Sequence, residues 1–298
     1  MELHRFLIIL TLILVFTLAL VAWFFPSNED FRTDNPFWNG TKEIGANVLA
    51  SPLESLSDLP LMSTGSTLIL IPYLDFTPTE LRQLYSFVSE GGTQVLADDY
   101  GFGNQVLEYI GLKARFSGQV LVDPLSYYKN KRFPRISHFL PNSITGNTES
   151  LVLNHATCLT NVETSDVLAL TSSVSFLDLN GDWWYNKGEP TGSMPVISHH
   201  NLGRGQVILI SDPSIFINSM QSMEGNQVLL KNIAAITRDK LFLDQSHLPP
   251  SNLHQTKTLL AAMRNFLLTP AGKVGLVVLA LSITLIPVWY KTKEKEII

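Results

Sequence analysis

The sequence is poor in several features that would have narrowed its function at once. It holds one cysteine, Cys158, among 298 residues, so no intrachain disulfide can staple it. The segment of about 250 residues between its apolar ends is long enough to bury a core without one. It lacks a basic excess: 21 Lys and Arg stand against 26 Asp and Glu, a net charge of −5, which argues against nucleic acid as a partner. It has no internal repeat and no low-complexity tract. Charge is missing altogether from two stretches, and these lift the mean hydropathy to +0.17.

The first is Phe6 to Phe25, FLIILTLILVFTLALVAWFF, about twenty residues, the length that crosses a bilayer core at helical rise. The second, Val274 to Tyr290, VGLVVLALSITLIPVWY, lies near the lower limit for a span. A cleaved signal peptide is the alternative for the first run. Its length, the lack of an A-x-A site and the aromatic belt Trp23, Phe24 and Phe25 favour an uncleaved anchor. Pro287 is tolerated near the end of a membrane helix, and Trp289 and Tyr290 followed by Lys291, Lys293 and Lys295 make a cytoplasmic exit. His4 and Arg5 precede the first run, whereas Glu29, Asp30 and Asp34 follow it. The positive-inside rule then predicts a plasma-membrane protein with both termini cytoplasmic and residues 26 to 273 outside. Setting aside the charges of the two tails leaves 17 basic against 23 acidic residues in that outer segment. Asn39-Gly40-Thr41 is a glycosylation sequon there. The expected layout is a cytoplasmic N-terminus (1–5), a span (6–25), an external α/β domain (26–240), a linker and juxtamembrane helix (241–273), a second span (274–290) and a cytoplasmic tail (291–298).

Between the ends, STLILIPY is a continuous apolar run that suits a buried strand. TPTELRQLYSFVSEGG follows as a helix. Thr77 or Thr79 caps it, Leu81, Leu84, Tyr85 and Val88 form its stripe, and Gly91-Gly92 stops it. With the next apolar run, TQVLADD, this predicts a right-handed crossover unit and a parallel sheet. GNQVLEYIGL reads as a second, short helix. SLVLNH, DVLALTSSVSFLD, MPVISHH and GQVILISD read as strands, Gly203-Arg204-Gly205 as a hairpin turn, and NQVLLKNIAAITR as a closing helix. From Leu241 to Lys273 the strand pattern is lost. HLPPSNLHQ reads as a linker. TLLAAMRNFLLTPAGK puts Leu259, Leu260, Met263, Phe266 and Leu267 on one helical face, to lie along the membrane surface or to pack on the domain.

Several of these stretches resemble, in order, a family of bacterial and archaeal membrane-anchored proteins with a glutamine-amidotransferase-like domain of unknown function. The stretches are DNPFWNGTKEI, LRQLYSFVSEGGTQVLADD, SFLDLNGDWWYNKGEPTG, and GRGQVILISDPSIFIN with NQVLLKNI. They cover most of residues 34 to 238. The resemblance implies a flavodoxin-like α/β ectodomain with a mainly parallel sheet plus added strands, seated in some relatives beside transport or AAA-ATPase systems. It implies no reaction. The family's acidic-His segment would be LFLDQSHLPP, with Asp244 and His247 but no glutamate between them.

Amidotransferases of this fold need a cysteine on a strained strand-to-helix elbow with a His and a Glu to activate it. Cys158 lies in NHATCLTN without a glycine-flanked elbow, and Asp98-Asp99-Tyr100-Gly101 stands after the TQVLADD strand instead. A lone cysteine is more often a small buried hydrophobe, so amidotransferase chemistry is excluded. Asp98, Asp99 and Asp212 each end a predicted strand, where ligands of open α/β sheets bind. Together they form a candidate ligand crevice or, with Mg²⁺, a metal-dependent hydrolase. For each the simpler role is a cap: Asp212 precedes Pro213 as an N-cap precedes a first-turn proline. His199 and His200 diverge on a strand and do not chelate one ion. YYKNKRFPR mixes aromatic and basic residues and is an exposed loop that could touch lipid headgroups or a partner.

The most specific pattern is DLNGDWWYNKGE. Counted from Asp178, its oxygen ligands fall at positions 1, 3, 5, 7, 9 and 12: Asp178, Asn180, Asp182, the Trp184 carbonyl, Asn186 and Glu189. That is the spacing of a calcium loop. Position 6, which wants glycine, is Trp183, and a bulky residue at positive φ costs roughly 1–2 kcal/mol. A Ca²⁺ clamp and a polar hairpin both fit. The overall expectation is a non-catalytic, two-span binding or scaffold module, with the lipid bilayer and envelope or transport proteins as partners. A hydrolase is the alternative. A third possibility is a sugar- or peptide-binding receptor, for which an aromatic-lined pocket should be visible.

Overall fold

The apolar run after Ser66 forms a strand, and around it the chain builds a mixed sheet in a computed structural model that describes residues 2–59 and 64–296. The chain divides into an α/β body, Pro26–Pro249, and a helical unit, Met1–Phe25 with Pro250–Ile298.

In chain order, the body begins with α2 (Lys42–Val48), β1 (Ser51–Leu53), β2 (Thr67–Leu70), α3 (Pro78–Ser89), β3 (Thr93–Ala97) and α4 (Asn104–Tyr109); the N-terminal helix α1 (Glu2–Phe24) precedes it. Short strands follow: β4 (Arg115–Phe116), β5 (Val120–Val122), β6 (Arg135–Ile136), β7 (His138–Phe139), β8 (Leu151–Val152), β9 (Leu159–Thr160), β10 (Val167–Leu170) and β11 (Phe176–Asp178). The body closes with β12 (Pro195–Leu202), β13 (Gly205–Ile210), α5 (Asn218–Gln221), α6 (Asn226–Ile236) and β14 (Leu241–Asp244). Helices α7 (Asn252–Leu268) and α8 (Pro270–Glu296) complete the chain.

The main sheet runs β1-β14-β2-β3-β13-β12-β10-β7. Its first five strands are parallel and the last three antiparallel. The expected mainly parallel sheet with added strands is therefore present. Thr77, not Thr79, caps α3: its hydroxyl accepts the Glu80 N–H while Glu80 reaches back to the Thr77 N–H, the reciprocal box that fixes a helix start. Strand alternation sends Leu68, Leu70, Leu96 and Leu209 against Leu84, Phe87 and Val88 of α3. Ile69, Val95 and Ile208 face Leu229, Leu230 and Ile233 of α6. The β12–β13 hairpin turns at Gly203 (φ +60°) and Arg204.

Three expectations change. Residues 241–244, read as the start of a linker, form β14 between β1 and β2, so the α/β body runs past 240 to Pro249. The run LFLD is short, but it fills a sheet position with parallel partners on both sides, which burial decides and local pattern does not. SLVLNH shrinks to β8, paired with β6 outside the main sheet. DVLALTSSVSFLD splits into β10 in the main sheet and β11, which pairs with β5.

In the helical unit, Phe6–Phe24 is long and apolar enough to cross a membrane. The second expected span, 274–290, lies inside α8. Over the described residues, α7 and Pro270–Ser282 reach a crossing length only as a pair, bent by 86°. The side chains of His4, Arg5, Trp289, Tyr290, Lys291, Lys293 and Lys295, on which the expected orientation rests, and residues 297–298 of the tail lie outside the described ones. Leu259, Met263, Phe266 and Leu267 on α7 are exposed.

Candidate functional site

β3 and β13 are parallel neighbours with Ala97 level with Ile210. Two residues further on, the same register brings Asp99 level with Asp212 at the carboxyl end of the sheet. Asp212 is wholly buried and caps the turn Pro213–Phe216. Its oxygens accept N–H groups from Asn154 (2.6 Å) and Ser214 (2.8 Å). Burial still wins over those bonds and pushes its carboxyl up to about 7. Asp98, also buried, accepts N–H groups from Tyr100, Gly101 and Gly103. It thus ties down the loop entering α4, the capping role expected of Asp99, and burial raises its carboxyl despite these bonds.

Asp99 is left without such partners. Its Oδ1 is shut off from solvent and accepts no hydrogen bond. Burial, then the charges of Asp212 and Asp98, push the carboxyl up to about 8, so at neutral pH the group is mostly the acid and can donate a hydrogen bond. Tyr73 and Tyr100 feel its charge, and they belong to a cluster of rings. Tyr73 lies three residues past β2 and is stacked on Phe31 (centroids 5.5 Å apart), with Tyr100 at 5.9 Å and Phe102 at 6.3 Å. Burial first, then the charge of Asp99, raises the Tyr73 phenol. The rings are drawn from three segments far apart in sequence, around Phe31, Tyr73 and Tyr100–Phe102, so no single window displays them all. Tyr73 is also fixed by its N–H to the carbonyl of His247, whose ring is 2.9 Å from Asp244 and stacked on Phe76. Asp244 and His247 therefore brace the body from β14.

The loop after β11 arranges its oxygens differently from a calcium cage. Asp178, buried at the strand end, accepts the N–H of Gly181 (2.8 Å) and of Trp183 (2.9 Å). Asn180 accepts from the Asp182 N–H, and Asp182 from the Trp184 N–H and the Asn186 amide. Glu189 accepts from Leu179 and Asn186. The Trp184 carbonyl accepts from the Asn186 side chain. Each group expected at a ligand position is thus engaged inside the loop. Trp183 does take positive φ, +66°. Its strained backbone is held by the bond to Asp178 and by the Lys131 ammonium, which donates to the Trp183 carbonyl. Among the described residues no group of three or more His, Cys, Asp and Glu is placed to hold a metal ion. This applies to the loop and equally to Asp98, Asp99 and Asp212.

Cys158 is buried, and burial lifts its thiol to about 11, the opposite of an activated nucleophile. His199 meets Gln206 (2.8 Å), whereas His200 meets Asp166 (3.1 Å) and Ser198 (2.9 Å), so the two rings diverge as their strand positions require.

Comparison with known proteins supplies a family and a fold. The family described as "Domain of unknown function (DUF4350)" matches residues 41–234. No curated protein matches. Among solved structures, the chain is similar to an "mmIFT52 N-terminal domain" at 18% identity and a TM-score of 0.52, over 72% of this chain and 96% of that one. At that identity the likeness speaks of the fold alone. A β-galactosidase from Bacillus circulans sp. alkalophilus follows at 14% identity and TM-score 0.38, over 59% of this chain; the chain spans 23% of that enzyme. A ThuA-like protein from Bacteroides uniformis matches at 16% identity and TM-score 0.33, over 61% of this chain and 74% of its own.

Proposed function

For a chain that belongs to the DUF4350 family of domains of unknown function, we propose a non-catalytic binding module, anchored in a membrane and carrying its α/β body on the outer side. Its ligand or protein partner is received at the carboxyl end of the sheet, around Asp99. The observation that carries this is the Asp99 carboxyl. One oxygen is cut off from water and unpaired, and the carboxyl lies near Asp212, Tyr73 and Tyr100. A native fold seldom leaves a buried polar atom without a partner, and an acid held protonated by its surroundings is a hydrogen-bond donor for a carbonyl or hydroxyl of the bound group. Binding rather than catalysis is favoured because Asp98 and Asp212 are committed to backbone N–H groups and the one thiol is buried. Anchoring rests on the apolar α1. The second span, the outward orientation and the amidotransferase-like kinship rest on charge flanks and sequence resemblance.

Two measurements on the full chain in cells test this. A photo-crosslinking residue at Tyr100, 66% exposed beside Asp99, should yield a discrete adduct that Asp99→Lys abolishes; the same residue at the distant, exposed Tyr109 should not. A cysteine at Trp184, in a Cys158→Ala background, should react with an impermeant maleimide in intact cells. Adducts that ignore Asp99 would refute the binding site, and labelling only after lysis would refute the orientation.

A further inference from the structure

A second site lies on the α/β body, independent of the one around Asp99. The antiparallel pair β5–β11 brings the loop 123–134 against the loop 179–190. Between them is a cleft of about 480 Å³ whose walls include Tyr127, Lys129, Phe176, Trp184 and Tyr185. We propose that this cleft binds an acidic glycan, with a sugar ring packed on Trp184 and Tyr185 and its carboxylate paired with Lys129.

Three features point there. First, Trp184 is 71% exposed and Tyr185 55%, and with Tyr127 they line one cleft, a grouping of exposed aromatic faces of the kind that marks an interaction surface. Lys131 stands 3.5 Å from the centroid of the Trp184 ring, which fixes the indole by a cation–π contact and leaves most of its surface free. Tyr185 forms a T-shaped pair with Phe176 at 5.9 Å and remains more than half exposed. Second, the display is rigid. Asp178 and Glu189 hold the loop's backbone from within, Lys131 takes the Trp183 carbonyl, and the Trp183 ring lies between Arg132 (3.9 Å) and His155 (5.7 Å). A ligand meeting such rings forfeits little side-chain freedom. Third, the chemistry is mixed in the proportion a charged sugar needs. Pyranose rings present a flat face of C–H groups that packs on an indole or phenol, and the exposed Lys129 supplies an ammonium for a carboxylate at the edge. The concavity separates this from a lipid-docking surface, where aromatic and basic residues project from convex tips into the headgroups. A cleft of this volume receives one or two sugar rings.

The test uses the full chain in phosphatidylcholine nanodiscs, titrated with tetragalacturonate and, separately, with neutral maltotetraose, read by tryptophan fluorescence. Saturable binding of the acidic sugar is expected, about tenfold weaker in Trp184→Ala and several-fold weaker in Lys129→Ala. Maltotetraose should bind at least tenfold more weakly than the acid. Trp38→Ala, exposed elsewhere on the body, should change nothing, and the melting temperature of each variant reports its folding. Absence of saturable binding to tetragalacturonate, or binding that survives Trp184→Ala unchanged, overturns the proposal. Recruitment to phosphatidylglycerol vesicles that depends on Trp184, without sugar binding, overturns it in favour of a lipid surface. None of these readouts depends on Asp99, so this site and the one at the sheet end can fail separately.

Discussion

Replacing Asp99 by asparagine should favour the fold more at alkaline pH than in mild acid. An aspartate in the unfolded chain titrates near 4, whereas Asp99 in the fold titrates at about 8. Between those values the native state binds more protons than the unfolded one, so stability falls as pH rises through the window. The full slope is about 1.4 kcal/mol per pH unit. From pH 5 to pH 8 that amounts to about 4 kcal/mol, and solvent reaching the partly exposed group halves it to about 2 kcal/mol. Asparagine does not titrate and keeps the size and a donor. The variant's advantage over the parent should therefore grow by about 2–4 kcal/mol between pH 5 and pH 8.5. Asp212, which titrates at about 7, and Asp98, also raised by burial, are untouched, so the variant's own stability should still fall as pH rises above 4. Urea unfolding of the full chain in detergent, followed by tryptophan fluorescence at half-unit steps of pH, measures the difference directly. A stability gain independent of pH between 5 and 8.5 would sink the reasoning, because a packing effect has no reason to follow the ionisation of Asp99.

Other consequences follow from single contacts. Gln94 is wholly buried in β3, and neither its side-chain nitrogen nor its oxygen has a partner; Gln94→Met should stabilise the body by about 1–2 kcal/mol, and a loss of stability would mean that those atoms are satisfied. A Cβ on Gly205 would sit 2.2 Å from the carbonyl oxygens of both Gly92 and Val88, so Gly205→Ala should cost about 3 kcal/mol by the same assay. Asp178→Ala removes a buried acceptor of two N–H groups and should lower stability by about 2–4 kcal/mol, with a blue-to-red shift of tryptophan emission as the loop loosens. Millimolar CaCl₂ against EDTA should leave the melting temperature unchanged. A rise of several degrees that Asp178→Ala abolishes would show that the loop exchanges its internal donors for the ion.

Much of the α/β body is legible in the sequence, because its signals are local. The strand–helix–strand unit needs only a buried run, a capping box and a double glycine, all within residues 66 to 99. The hairpin at Gly203 and the closing helix are equally local. The antiparallel half is less so: β6, β8 and β11 leave the main sheet for partners far along the chain, a choice made by packing and not by alternation. β14 was hidden for the same reason. At the sheet end, the position of Asp99 and Asp212 follows from the rule that ligands gather beyond strand carboxyl ends. The full set of rings does not, since Phe31 and Tyr73 come from segments far from the loop that carries Tyr100 and Phe102. Nor does sequence say which of two adjacent aspartates ties down the next loop and which is left free. That is settled by backbone N–H directions around Gly101 and Gly103.

The loop from Asp178 to Glu189 shows where pattern stops carrying information. A tight turn converges its alternating side chains on one centre, and oxygens placed there suit any electron-poor partner. A calcium ion is one such partner; the loop's own N–H groups and a lysine ammonium are another. Both demand Asp, Asn and Glu at the same spacing, so the spacing cannot distinguish them. The decision comes from outside the motif. Lys131, some fifty residues earlier in the chain, reaches the Trp183 carbonyl and the Trp184 ring, and it is there only because β5 pairs with β11. With that positive charge beside the loop, a divalent cation would meet repulsion from Lys131 and would have to compete with the bonds that Asp178 makes to Gly181 and Trp183. Around the positive φ of Trp183 the consecutive indoles have different surroundings, one beside Arg132 and His155, the other under Lys131 and mostly in solvent. The loop's internal bonds and Lys131 brace the exposed Trp184, and the calcium titration decides whether an ion can take their place.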